Sequence, residues 1–146
     1  MDWDKQTLDE WDSLGYYYEY HEYLKQWRLH GSKSGFRKFC NTLDSYTINP
    51  SNYAISEHIH IGPYNYLKIM TWSEPIISRQ YIAGSIDDIK NLSKMILSSL
   101  EKAEIGSLFA ISKMYSPNSA ASLLFVVMND SFKPSSIEFQ AIAQSN

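Results

Sequence analysis

A single cysteine, Cys40, leaves this chain with no internal disulfide, which favours a reducing compartment. No apolar run reaches the roughly 18 residues that a membrane span needs, so no membrane partner is expected. Signatures of common chemistry are missing too: there is no G-x-S-x-G, no P-loop and no G-x-G-x-x-G. The opening MDWDKQTLDEWD is acidic, where a secretion signal opens with basic residues. Together these absences leave no strong catalytic motif, no catalytic residue and no cofactor to assign, and the expected compartment is the cytoplasm.

What is present fits one domain. The 146 residues suffice for a single core, and 44% hydrophobic with 20% charged residues is an ordinary globular balance. Aromatics are abundant at 14%, with eleven Tyr and four Trp, side chains that suit half-buried sheets and interfaces alike. The net charge of −3 is unevenly spread. Residues 1–22 hold seven acidic side chains against Lys5 alone, whereas residues 25–38 hold five basic ones and no acid. The acidic segment could meet a basic partner, or be a solvated terminus. The basic segment could touch nucleic acid, but the net negative charge and the acidic neighbour argue against a nucleic-acid partner.

Two stretches read alike, residues 23–46 and 76–100. Each has a β-prone run, then Gly-Ser, then apolar residues at helical spacing. Phe36, Phe39, Cys40 and Leu43 fall at i, i+3, i+4, i+7, and Ile89, Leu92, Ile96 and Leu100 do much the same. Ser32 and Ser85 are natural N-caps, and Ser85 with Asp88 has the spacing of a capping box. Gly31 and Gly84 are read as permitting the change from strand to helix. The spacing predicts helices near 33–46 and 86–103, and strands near 23–30, 54–61, 65–72, 77–83, 107–114 and 121–128. The expected fold is therefore α+β: a tandem strand–helix–strand–strand pseudo-repeat, about 16–75 and 76–134, forming a largely antiparallel sheet with two main helices on one face. IGPYNY (61–66) reads as a hairpin turn, SPNSAAS (116–122) as a looser one, and 135–146 as a loose tail whose end, QAIAQSN, is either frayed or a short helix.

The run LGYYYEYHEYLKQWRLHG fits helical spacing at Tyr16, Tyr20, Tyr23 and Trp27. Tyr and Trp favour strands, and the pseudo-repeat places a strand before Gly31, so residues 16–20 and 23–30 are read as two strands joined near His21 and Glu22. Tyr16, Tyr18 and Tyr20 then share one face, while Tyr17 and Glu19 share the other. One set should pack inward, leaving the other for recognition.

The sharpest polar group is SEHIHIG. In a strand His58 and His60 project to one face, and two imidazoles at that spacing can begin a metal site. Zinc needs a third and usually a fourth ligand, Glu57 faces the other way, and SKMYS, the matching place downstream, offers no donor. No metal site is therefore assigned. Cys40 lies in an apolar stripe and is read as a small buried hydrophobe. Trp72, beside WSEP, is either an interface anchor or a buried edge residue.

At SEHIHIGPYNYLKIMTWSEP, followed by IAGSIDDIKNLSKMI, and at LGYYYEY with LHGSKSGFRKF before them, the chain resembles small bacterial immunity proteins encoded beside polymorphic or contact-dependent growth inhibition toxins. The resemblance spans roughly residues 12–105. It implies a cytoplasmic, non-catalytic inhibitor that binds the C-terminal domain of one cognate toxin. A basic nuclease would complement the acidic N-terminal segment. The expected partner contacts are Tyr18, Glu19, Tyr20, Glu22, Glu57, His58, His60, Tyr64 and Trp72. The alternative is a small-molecule- or metal-binding enzyme of duplicated strand–helix–strand–strand form, and a third reading is a structural adaptor.

Overall fold

Both long helices begin where Gly-Ser marks them. In the computed structural model, which describes residues 2–65 and 67–145, Ser32 caps helix α2 (Lys33–Ile48) by accepting from the Gly35 N–H at 3.1 Å. Ser85 and Asp88 close the reciprocal capping box of helix α3 (Ile86–Lys102), with bonds of 2.9 and 3.0 Å. Neither Gly31 nor Gly84 has positive φ. They are small for space: a Cβ on Gly31 would lie 2.9 Å from the Phe36 ring, and one on Gly84 would lie 2.4 Å from the Tyr115 hydroxyl. Close packing, rather than backbone freedom, requires glycine at both junctions.

The class is α+β, with two mixed, mostly antiparallel four-stranded sheets in place of the single sheet expected. Strands β1 (Tyr16–His21) and β2 (Gln26–Gly31) form the predicted hairpin. They join β7 (Leu108–Ala110) and β8 (Ser122–Val127) in the first sheet, in the order β1-β2-β8-β7. The second sheet has the order β3-β4-β6-β5, from β3 (His58–Ile61), β4 (Leu67–Thr71), β5 (Ile76–Ile77) and β6 (Ile82–Gly84). In each sheet the central pair is parallel and the outer pairs are antiparallel. Residues 16–75 and 76–134 therefore interleave, because each sheet takes strands from both halves.

Several expected strands are shorter or altered. Only 58–61 of the stretch 54–61 is strand, 77–83 divides between β5 and β6, and 107–114 ends in helix α4 (Ser112–Tyr115). Of the two terminal helices, the first was not expected, and the second is longer than the short helix allowed for the tail's end. The acidic opening forms α1 (Asp2–Leu14), and the supposed loose tail forms α5 (Ser135–Ser145). Tyr66 in the expected hairpin turn and Asn146 lie outside the described residues. Among the described residues, no helix is long and apolar enough to cross a membrane.

The core forms because strand alternation and helix periodicity converge. Tyr18, Leu29 and Phe125 lie side by side across β1, β2 and β8, as do Tyr20, Trp27 and Leu123. Helix α2 covers this face: Phe36 stands edge-on to Phe125 at 5.1 Å, and Phe39 edge-on to Tyr16 at 5.3 Å. On the other side α2 meets α3, where the Ser93 hydroxyl donates to the Cys40 carbonyl at 3.4 Å. Cys40 is buried as predicted, and burial pushes its thiol up to about 12. One hydrophobic cluster runs through both sheets and both long helices. Trp27 also ties the sheets together, donating its indole N–H to the Ser78 carbonyl at 2.7 Å.

Candidate functional site

β1 ends the first sheet, so among the described residues one of its edges has no strand beside it. A half-open cleft of about 780 Å³ lies against this edge, within the roughly 300–1,000 Å³ typical of ligand-binding pockets. Tyr17, Tyr18, Glu19 and Tyr20 all line it. Successive strand residues point to opposite faces, so a cavity that touches four in a row reaches the strand's edge. His60 and Lys68, paired across β3 and β4, form the opposite wall, and Arg79 with Gln80 closes the far end.

The terminal helices build the near end. Asp12 of α1 holds the start of α5, accepting from the Ser135 N–H at 3.0 Å and from its hydroxyl at 2.8 Å. This contact brings Trp11 and Glu138 together beside β1. The Trp11 ring lies 4.4 Å from Tyr17 and 5.0 Å from Tyr18, whose side chains point to opposite faces of the strand. Trp11 therefore covers the edge itself at that position. Its indole N–H is buried and has no acceptor among the described residues.

Glu138 is a carboxylate only 7% exposed. It accepts from the Tyr17 hydroxyl at 3.1 Å and from the Tyr64 hydroxyl in a shorter bond. Its place in the first turn of α5 also favours negative charge through the helix dipole. Burial first, and then the charge of Glu138, push the Tyr17 hydroxyl up, so it stays a donor. Tyr64 reaches Glu138 from the turn between β3 and β4, where it adopts φ +67°, a costly conformation for an aromatic residue.

Six of the nine expected contact residues meet in this cleft: Tyr18, Glu19, Tyr20, Glu22, His60 and Tyr64. Their roles differ. Tyr18 is buried, and its hydroxyl donates to the Ile61 and Pro63 carbonyls at 2.6 and 2.7 Å, so it is wall and not surface. Tyr20 is half-buried edge-on to Trp27, and Glu19 beside it is half-buried with no ion pair among the described residues. Glu22 pairs with Arg79 at 2.5 Å at the exposed mouth, which lowers the acid's pKa and raises that of the guanidinium.

The other three lie elsewhere. Glu57 is exposed before β3, with its carbonyl accepting from Thr71 and Tyr46. His58 is exposed, 5.1 Å ring to ring from His60, and contacts the Ser56 carbonyl. Trp72 is half-buried after β4, outside the cleft lining. Among the described residues, no group of three or more His, Cys, Asp or Glu could hold a metal ion, so the two histidines lack the ligands a zinc site needs.

The sequence reading missed Trp11, Tyr17, Trp27, Lys68, Arg79, Gln80 and Glu138. Leu8, Trp11 and Leu14 fall three apart, a usable sign of a helix with one packed face. Glu138 gave no local sign, because its partner Tyr17 is 121 residues away. Comparison of the chain with protein-family models, curated proteins and solved structures returns no match.

Proposed function

We propose that this protein is a stoichiometric inhibitor of a basic bacterial toxin: an immunity protein that acts in the cytoplasm by binding and performs no catalysis. The observation that carries this reading is the gathering of Tyr20, Tyr64, Glu19 and Glu22 at one cleft. Helix α1 stands beside it with Asp9, Glu10 and Asp12 exposed. Aromatic residues supply contact area, and surrounding carboxylates steer a basic partner toward them. The resemblance to immunity proteins points the same way.

The test is a titration against the toxin-like C-terminal domain encoded next to this gene. One-to-one binding that weakens with salt and abolishes toxin activity supports the reading. Absence of binding overturns it. The cleft's volume also favours a second reading, a small-molecule binder. A compound that binds there with no effect of a basic protein partner would select it. The metal-dependent form of that reading has only His58 and His60 behind it.

A further inference from the structure

The open edge of β1 has a chemistry of its own. Trp11 covers the edge beside Tyr17 and Tyr18, but at Glu19 and Tyr20 the edge faces the cleft, and His21 follows at the end of the strand. Backbone N–H and C=O groups on that side have no neighbouring strand among the described residues. Unpaired edges are templates for an added strand. Most natural edges are blunted by proline, lysine or a covering element, and residues 19–21 carry none of these. The cleft contributes Glu19, which makes no ion pair among the described residues although Arg28 stands opposite it on β2, and Glu138, which accepts from the Tyr17 and Tyr64 hydroxyls. The Trp11 ring lines the cleft, and its buried indole N–H has no acceptor among the described residues.

We infer that the cleft seats a short extended segment of a basic protein partner, paired strand-to-strand along Glu19–His21, with a Lys or Arg side chain directed to the Glu19 and Glu138 carboxylates. Backbone pairing supplies the general affinity, and the carboxylates select the positive side chain. The inference deepens the inhibitor reading and rests on it only for the identity of the partner.

The probe is the capped tetrapeptide acetyl-Arg-Val-Arg-Val-amide, titrated into the full chain by amide and indole NMR. Binding should shift the Glu19, Tyr20 and His21 amides and the Trp11 indole N–H, and slow hydrogen exchange along that edge. N-methylating two backbone amides should weaken binding about tenfold. Glu19→Gln should weaken it about threefold, and the acetyl-Glu-Val-Glu-Val-amide analogue should not bind. No shift at residues 19–21 up to about millimolar peptide overturns the inference. So does equal binding of the N-methylated or the acidic peptide. The two readings separate cleanly. A toxin that is bound and inhibited while the edge amides stay unchanged removes this inference alone. A peptide seated on the edge with no toxin binding removes the inhibitor reading alone.

Discussion

The two sheets share a strand order and differ in almost everything else. Exchanging β1 with β5, β2 with β6, β3 with β7 and β4 with β8 turns β1-β2-β8-β7 into β5-β6-β4-β3, the second sheet read from its other end. The first sheet has six-residue strands at β1, β2 and β8, and packs Tyr16, Tyr18, Trp27 and Phe125 inward. The second has strands of two to five residues and an aliphatic interior of Ile61, Leu67, Ile69 and Ile82. The decisive contrast lies at the edges. β5, which takes β1's place in the exchange, is only two residues long. β1 is long and flanked by α1 and α5, which bring Trp11 and Glu138. A shared layout provides the frame, and the cleft arises where the two ends of the chain break the likeness.

The largest expected effect tests which sheet dominates the core. Phe125→Ala removes a ring packed against Phe36, Phe39 and Phe109 and should cost about 3–5 kcal/mol in urea unfolding. Ile69→Ala in the second sheet should fall lower, within about 2–5 kcal/mol, and equal losses would erase the contrast. Next come the starts of the long helices. Gly35 and Asp88 occupy the same position, each donating its N–H to the capping serine. A Cβ on Gly35 would lie 2.0 Å from the Gly15 carbonyl oxygen, so Gly35→Ala should cost at least the upper part of the usual ~1–3 kcal/mol for overpacking. Asp88→Ala only opens a capping box and should cost about 1 kcal/mol by the same measurement.

The third effect concerns binding. In calorimetric titration with the toxin domain, Tyr20→Ala should weaken affinity by about 2 kcal/mol, as aromatic anchors do, whereas Trp72→Ala should leave it within about twofold. The reverse order would move the interface to the second sheet. The smallest effect is one of pH. Burial holds the His30 pKa below its usual 6.5, against the pull of Glu19. As pH falls below 6.5, the unfolded chain takes up a proton that the folded one resists. Stability present above that pH is therefore lost as pH falls through the lower folded value. His30→Gln should flatten this acid slope in thermal melts taken across the window.

Local signals in the sequence carried a long way. Gly-Ser, a capping serine and apolar residues at helical spacing located α2 and α3 to within two residues. Alternation placed Tyr16, Tyr18 and Tyr20 on one face, and the structure packs that face inward. What was not legible depends on distance along the chain. Nothing near Tyr17 announces that it faces inward too, because the residues covering it come from α1 and α5. Two sheets could not be told from one, since strand order depends on pairings such as Trp27 with Leu123. The same holds for the site. Tyr, Glu and His side chains could be nominated as contacts, but only the folded β1 edge shows that six of them gather and that Glu57, His58 and Trp72 do not.

The interleaving of the two halves bears on how the molecule is made. A chain cut between Ser73 and Glu74 yields one fragment with β1–β4 and another with β5–β8. Neither fragment holds both strands of either central parallel pair. Each sheet is completed only when Gln26 meets Ser122 or Ile69 meets Ile82. The first of these contacts closes a loop of most of the chain, the kind of pairing that slows folding. The two fragments should therefore lack cooperative unfolding apart and regain it on mixing, which would make this protein a natural scaffold for split-protein complementation.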